Sequence, residues 1–191
     1  MKAASTNRPV AYDAVERGEA MKFLAGVVFG IGALGLGAAA IVASGAIDPA
    51  ASVPSGALET RIARFALDRA VARRAPKSDN PLKPEADVLR AGMVHYKGMC
   101  VGCHGAPGVN PTEAGEGLNP PAPDLTLGRV QKRSDGELFW LVQNGVRMTG
   151  MPAFGPSHKD EEIWKIVAFL RHLPALTPEE EKALAAAPSA D

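Results

Sequence analysis

The stretch FLAGVVFGIGALGLGAAAIVASGAI, Phe23 to Ile47, carries no charged residue, and that constrains the chain more than any other segment. At about 1.5 Å per residue it reaches roughly 37 Å as a helix, enough to cross a bilayer core of about 30 Å. Lys2, Arg8, Arg17 and Lys22 precede it, and the next basic residue is Arg61. The positive-inside rule therefore predicts that residues 1–22 form a cytoplasmic tail, that 23–47 form a single transmembrane anchor, and that the rest is exported. Ser44-Gly45-Ala46 resembles a signal cleavage site, but the apolar run exceeds the roughly 7 to 15 residues of a signal core, which favours an uncleaved anchor. Within it, Gly30-Ile31-Gly32-Ala33-Leu34-Gly35 fits the dinucleotide-binding pattern G-x-G-x-x-G. That motif needs a strand before it and a helix start after it, so the match is rejected. The G-x-x-x-G spacing of Gly26 and Gly30 instead suits close approach by another transmembrane helix, although glycine is common in membrane helices anyway.

Beyond the anchor the chain has length for one domain and appendages. Its formal charge is zero, which gives no basis for nucleic-acid attraction. Residues 48–85 hold seven basic and five acidic side chains; residues 86–191 hold ten and thirteen. The first segment reads as a connector, an amphipathic helix from Leu58 to Arg74, and the linker APKSDNPLKP. Apolar Leu58, Ile62, Phe65 and Ala66 share one face of that helix. Arg61, Arg64, Arg69, Arg73 and Arg74 lie elsewhere on it, to rest on anionic headgroups, to dock on a partner, or to be simply solvated.

Residues 86–176 read as an all-α domain of short helices between Gly/Pro loops. A first helix spans about Ala86 to Met99, with Val88, Leu89, Gly92, Met93 and Tyr96 on one side. A second starts at a Ser134–Glu137 capping box and ends before Gly145. A third begins with acidic Asp160, Glu161 and Glu162, buries Ile163, Ile166, Val167 and Leu170, and stops at Leu173 ahead of Pro174. Residues 177–191 read as a solubilising tail.

Both cysteines of the chain fall in Met-Cys-Val-Gly-Cys-His-Gly, residues 99–105. Two cysteines cannot scaffold a domain of this size. Cys-x-x-Cys-His is the signature of c-type haem attachment, with thioethers from Cys100 and Cys103 to the porphyrin and an iron bond from His104. Zinc normally wants four Cys/His ligands, and His95, His158 and His172 are isolated in sequence. A thioredoxin-type pair wants a βαβ context that is missing here; a plain disulfide remains open. For the second axial ligand, GVRMTGMPAFG offers Met148 and Met151, and a thioether there would raise the reduction potential. Met151 is preferred, because Gly150 frees the backbone before it and Pro152 stiffens the loop after it. Met148, Met93 and Met99 read as core filling.

The segments AGMVHYKGMCVGCHG, PPAPDLT, GVRMTGMPAFG and DEEIWKIVAFLRHLP together resemble class I c-type cytochromes, particularly membrane-anchored bacterial single-haem forms, over about residues 86–174. The resemblance implies a cytochrome c fold, three to five short helices around one covalent haem c, with iron between His104 and Met151. It implies that the first and last helices cross at Gly92 and Tyr96 on one side and Trp164 and Phe169 on the other. It places Gly105 after the haem motif and implies a proline carbonyl, that of Pro120 or Pro121, accepting the His104 N–H.

A haem with both axial positions filled offers no site for substrate, so the expected role is electron carrier and not enzyme. The expected setting is the periplasmic face of a bacterial inner membrane, within a respiratory chain. There the carrier would run from a quinol-oxidising complex or exported dehydrogenase to a terminal acceptor such as an oxidase. The alternative is a haem c subunit fixed in a multi-subunit oxidoreductase, with the glycine-faced anchor and the arginine-rich helix as assembly surfaces. A haem sensor or peroxidase is the third reading; it lacks a recognisable acid/base pair.

Overall fold

The computed structural model describes residues 10–186. They fall into two units, the first ending at Ala50 and the second beginning at Ala51.

The first unit is one helix, α1, Val10–Ala43. It starts well inside the segment expected to be a polar tail, because Val10 to Lys22 contains no proline and only Gly18 as a weak breaker. Lys2 and Arg8 lie outside the described residues. From Arg17 to Ala43, α1 is the one described helix long and apolar enough to cross a membrane, and Phe23, Phe29 and Leu34 are exposed along it.

The regular structure among the described residues of the second unit is helical, with an isolated bridge between Ala106 and Val109 as its only β pairing. Helix α2 spans Ala57–Arg74, α3 Ala86–Met99, α4 Val101–His104, α5 Glu113–Glu116, α6 Gly128–Gln131, α7 Asp135–Asn144, α8 Asp160–His172 and α9 Pro178–Ala185. The three longer helices expected after residue 85 are α3, α7 and α8. The single-turn α4, α5 and α6 are too short to register as a periodic pattern.

The core forms where α3 crosses α8. A Cβ built on Gly92 would lie 2.8 Å from Phe169 Cβ and 2.9 Å from the Lys165 carbonyl carbon, so glycine at 92 is what lets the two backbones meet. The rings of Tyr96 and Phe169 lie 5.4 Å apart beside that contact, both fully buried. Ile163, Ile166, Val167 and Leu170 bury the rest of α8. Trp164, expected at the same crossing, stacks its ring on Phe139 of α7 at 4.2 Å. Ser134 and Glu137 close their capping box at the start of α7. Gly145 ends it with φ +63° but ψ −170°, which is not the left-handed helical conformation. After His172 the chain tightens into a 3₁₀ turn, Leu173–Ala175, that takes up Pro174.

Two regions differ from their reading as linker and tail. The APKSDNPLKP stretch is strapped to the body: Asn80 N–H donates to Asp135 (3.1 Å) and its side-chain amide to the Trp164 carbonyl (2.9 Å). Arg171 donates from Nε to the same Asp135 (2.8 Å) and also to the Gln131 and Arg133 carbonyls. Helix α2 joins this assembly through buried Val71 and an Asp68–Arg133 ion pair. At the other end, Thr177 and Glu180 form a capping box opening α9, and Leu184 is fully buried. Lys97 of α3 donates to the Ala183 carbonyl (3.0 Å).

Candidate functional site

Helix α3 runs almost without interruption into the cysteine motif. Cys100 keeps right-handed backbone angles and its N–H donates to the Tyr96 carbonyl at 2.8 Å. Its own carbonyl accepts from Cys103 (3.1 Å) and His104 (2.9 Å), so both thiols and the imidazole belong to one helical turn. That turn stops at Gly105, where φ is +63° and a Cβ would lie 2.7 Å from the Val109 carbonyl oxygen. No other residue satisfies both conditions without strain.

The loop after the motif braces the turn from outside. The Gly102 carbonyl accepts from both the N–H (2.8 Å) and the hydroxyl (2.9 Å) of Thr112. A Cβ on Gly115 would sit 2.9 Å from Cys103 Cα, so α5 rests directly on the motif backbone. From the α3 side, the buried Tyr96 hydroxyl donates to the Gly105 carbonyl at 2.5 Å. Burial, reinforced by Cys100 and Asp124, pushes the Tyr96 phenol well above its ordinary range, so it remains a donor.

His104 is held by one bond that decides its chemistry. Nδ1 lies 2.8 Å from the carbonyl oxygen of Pro123, neither Pro120 nor Pro121. Those two prolines are exposed on the preceding turn of the loop, and only the third proline of the run brings its carbonyl to the ring. A carbonyl accepts only, so the proton sits on Nδ1 and the lone pair on Nε2. Burial lowers the imidazole pKa and the Pro123 bond partly offsets this; the ring therefore stays neutral, as a metal ligand must. The Cys100 thiol is pushed up to about 12 by burial and by the neighbouring Cys103, so before any bond forms it is a thiol and not a thiolate.

The two candidate methionines are separated by the fold. Met151 is half-buried and packs against the core cluster. Met148, expected to fill core, is instead 90% exposed with φ +61°. The loop that distinguishes them is tied by Val146 N–H to the Met151 carbonyl (3.2 Å) and by the Thr149 hydroxyl, which accepts from Met151 N–H (3.1 Å). Gly150 matters through close approach and not through an unusual φ, since a Cβ there would meet Leu118 Cδ1 at 3.0 Å. Met93 and Met99 pack against the core as expected.

These residues fit a haem c. The candidate donors are an imidazole whose Nε2 carries the lone pair, two thiols on the same turn and, in a separate loop, a half-buried thioether; no buried side-chain nitrogen or oxygen among the described residues lacks a partner. No cluster of three His, Cys, Asp or Glu side chains suited to a metal ion occurs among the described residues. His172 is instead committed to Glu180 at 2.9 Å, and His95 to an edge contact with His158. Pro123, Thr112, Gly115 and Leu118 are the supporting residues that the sequence reading did not single out.

Comparison with protein families matches residues 87–170 to the family described as cytochrome c oxidase, cbb3-type, subunit III. No curated protein matches the chain.

Proposed function

We propose that the chain is a membrane-tethered carrier of single electrons holding one covalent haem c, a reading supported by the match of residues 87–170 to a c-type cytochrome family. It works on the periplasmic face of a bacterial inner membrane, between a quinol-oxidising complex or exported dehydrogenase and a terminal acceptor such as an oxidase. Residues 23–47 anchor it, and residues 86–176 carry the haem.

When bound, the haem would supply reversible one-electron chemistry. The chain's residues do the rest. Cys100 and Cys103 hold the group by thioethers, and His104 presents Nε2 while Pro123 keeps the proton on Nδ1. Met151 would supply a thioether ligand, a neutral sulfur that favours the ferrous state. Tyr96 and Thr112 hold the motif's backbone at the Gly105 and Gly102 carbonyls. The observation that carries the reading is the 2.8 Å contact from His104 Nδ1 to the Pro123 carbonyl: it orients the imidazole of a turn that also bears both thiols.

A pyridine haemochrome assay combined with intact mass on natively matured protein tests this. One haem per chain is expected; colourless protein with two alkylatable thiols overturns it. The family description favours a second reading, a haem c subunit fixed in an oxidase complex. Purification in mild detergent separates the two, since a stoichiometric set of companions identifies the subunit.

A further inference from the structure

Helix α2 has two apolar faces, and the body of the second unit uses only one. At 100° per residue, Thr60, Leu67, Ala70 and Val71 fall on one side, where they are buried or half-buried. Leu58, Ile62 and Phe65 fall within about 60° of one another on the opposite side, where they are 71%, 60% and 65% exposed. Arg69 continues that row, its guanidinium 5.4 Å above the Phe65 ring. Arg61 and Arg73 flank it, and of the two acids of α2, Asp68 is already paired with Arg133. The free side of α2 is therefore an apolar row bordered mainly by cations, with Glu59 the one acid beside it.

We propose that this face of α2 lies in the headgroup region of an anionic bilayer, the same one that α1 crosses. The proposal rests on α1 being the anchor. Charge favours a lipid occupant: an apolar row with arginines along its border suits acyl chains below and phosphates beside it. Chain length favours it too. The Asn119 side-chain amide donates to the Ala51 (3.0 Å) and Val53 (2.6 Å) carbonyls, so residue 51 onward belongs to the body. That leaves residues 44–50 as connector after α1, seven residues spanning at most about 25 Å. A connector so short keeps the start of α2 within reach of the membrane surface. Docked this way, α2 holds the haem domain by its opposite face and fixes which side of that domain looks away from the lipid.

The test uses full-length haem-loaded protein in vesicles of phosphatidylcholine with or without phosphatidylglycerol. Cys100 and Cys103 are consumed as thioethers, so single nitroxide labels can be placed through Leu34→Cys, Ile62→Cys and Asp79→Cys. Accessibility to oxygen against a water-soluble nickel chelate is then measured. The expected result is a lipid signature at 34 in both vesicles and an aqueous signature at 79. At 62 the oxygen-to-nickel ratio should be several-fold above that at 79 with phosphatidylglycerol, and should fall at high salt. An aqueous signature at 62 with lipid at 34 overturns the proposal and leaves the anchor standing. Protection at 62 only when a protein partner is added overturns it in favour of a protein docking face. An aqueous signature at 34 overturns the anchor and this proposal together.

Discussion

Replacing Tyr96 by Phe removes one hydroxyl that holds the end of the turn bearing Cys100, Cys103 and His104. The Tyr96 ring is fully buried, and its hydroxyl donates at 2.5 Å to the carbonyl of Gly105, itself buried. Phe keeps the ring contact with Phe169 but leaves that carbonyl without this donor, at a cost of about 1–3 kcal/mol. For a domain of this size each kcal/mol lowers Tm by about 4–8 °C. The variant also changes how stability depends on pH. In the unfolded chain a tyrosine ionises near pH 10, whereas burial holds the native Tyr96 phenol protonated well above that. Native stability from this group is thus complete below pH 10 and falls above it, by about 1.4 kcal/mol per pH unit. Guanidinium unfolding of both proteins at pH 7, 10 and 11 measures the two effects, and titrating lysines cancel in the difference. Tyr96→Phe should be less stable at pH 7, and the gap should narrow at pH 11. A variant within about 0.5 kcal/mol of the parent at pH 7, ordinary for a neutral surface change, or one with the same alkaline slope, would refute the reasoning.

Met151→Ala should abolish the methionine-to-ferric-iron absorption band and lower the reduction potential, whereas exposed Met148→Ala should leave both in place; the reverse pattern in spectra and potentiometry would reassign the ligand. Gly92→Ala should destabilise by about 1–3 kcal/mol in chemical denaturation, because its new methyl meets α8 backbone and not a movable side chain. Leu184→Ala should cost about 2–3 kcal/mol and release α9 first, seen as faster amide exchange there. Glu180 has its carboxyl pKa lowered by the Thr177 N–H and by His172. Docking of α9 should therefore hold above the usual carboxylate range and weaken as pH falls through the lowered value, with amide exchange at pH 3 against pH 7 as the check.

The parts legible in sequence were those set by short-range rules. The Ser134–Glu137 box and the start of α3 at Ala86 follow from capping and periodicity, the crossing at Gly92 from the resemblance to class I c-type cytochromes, and the fold keeps all three. The same rule was available for α9, since Thr177-Pro178-Glu179-Glu180 is a capping box with proline at the first helical position. An alanine-rich, acidic composition hid it. Two apolar faces on α2 could not be sorted in the same way: periodicity finds Leu58, Ile62 and Phe65, but only the packing of Val71 tells which side the body takes.

The choice of proline carbonyl shows where local rules end. Pro120, Pro121 and Pro123 lie within four residues of one another, and each offers a carbonyl with no competing N–H of its own. Which one meets His104 depends on where the loop is pinned. Asn119 is fastened to Ala51 and Val53 before the prolines. After them, the Asp124 carboxylate accepts from the Thr126 N–H (2.8 Å) and hydroxyl (2.7 Å), and the Gln131 side chain donates to the Leu125 carbonyl (2.7 Å). Between those fixed ends, Pro120 and Pro121 are spent on the exposed turn, and Pro123 is the one that comes in beneath the imidazole. The residue that sets the His104 tautomer is thus chosen by contacts whose partners lie up to 68 positions away, a distance over which spacing within a motif carries no information.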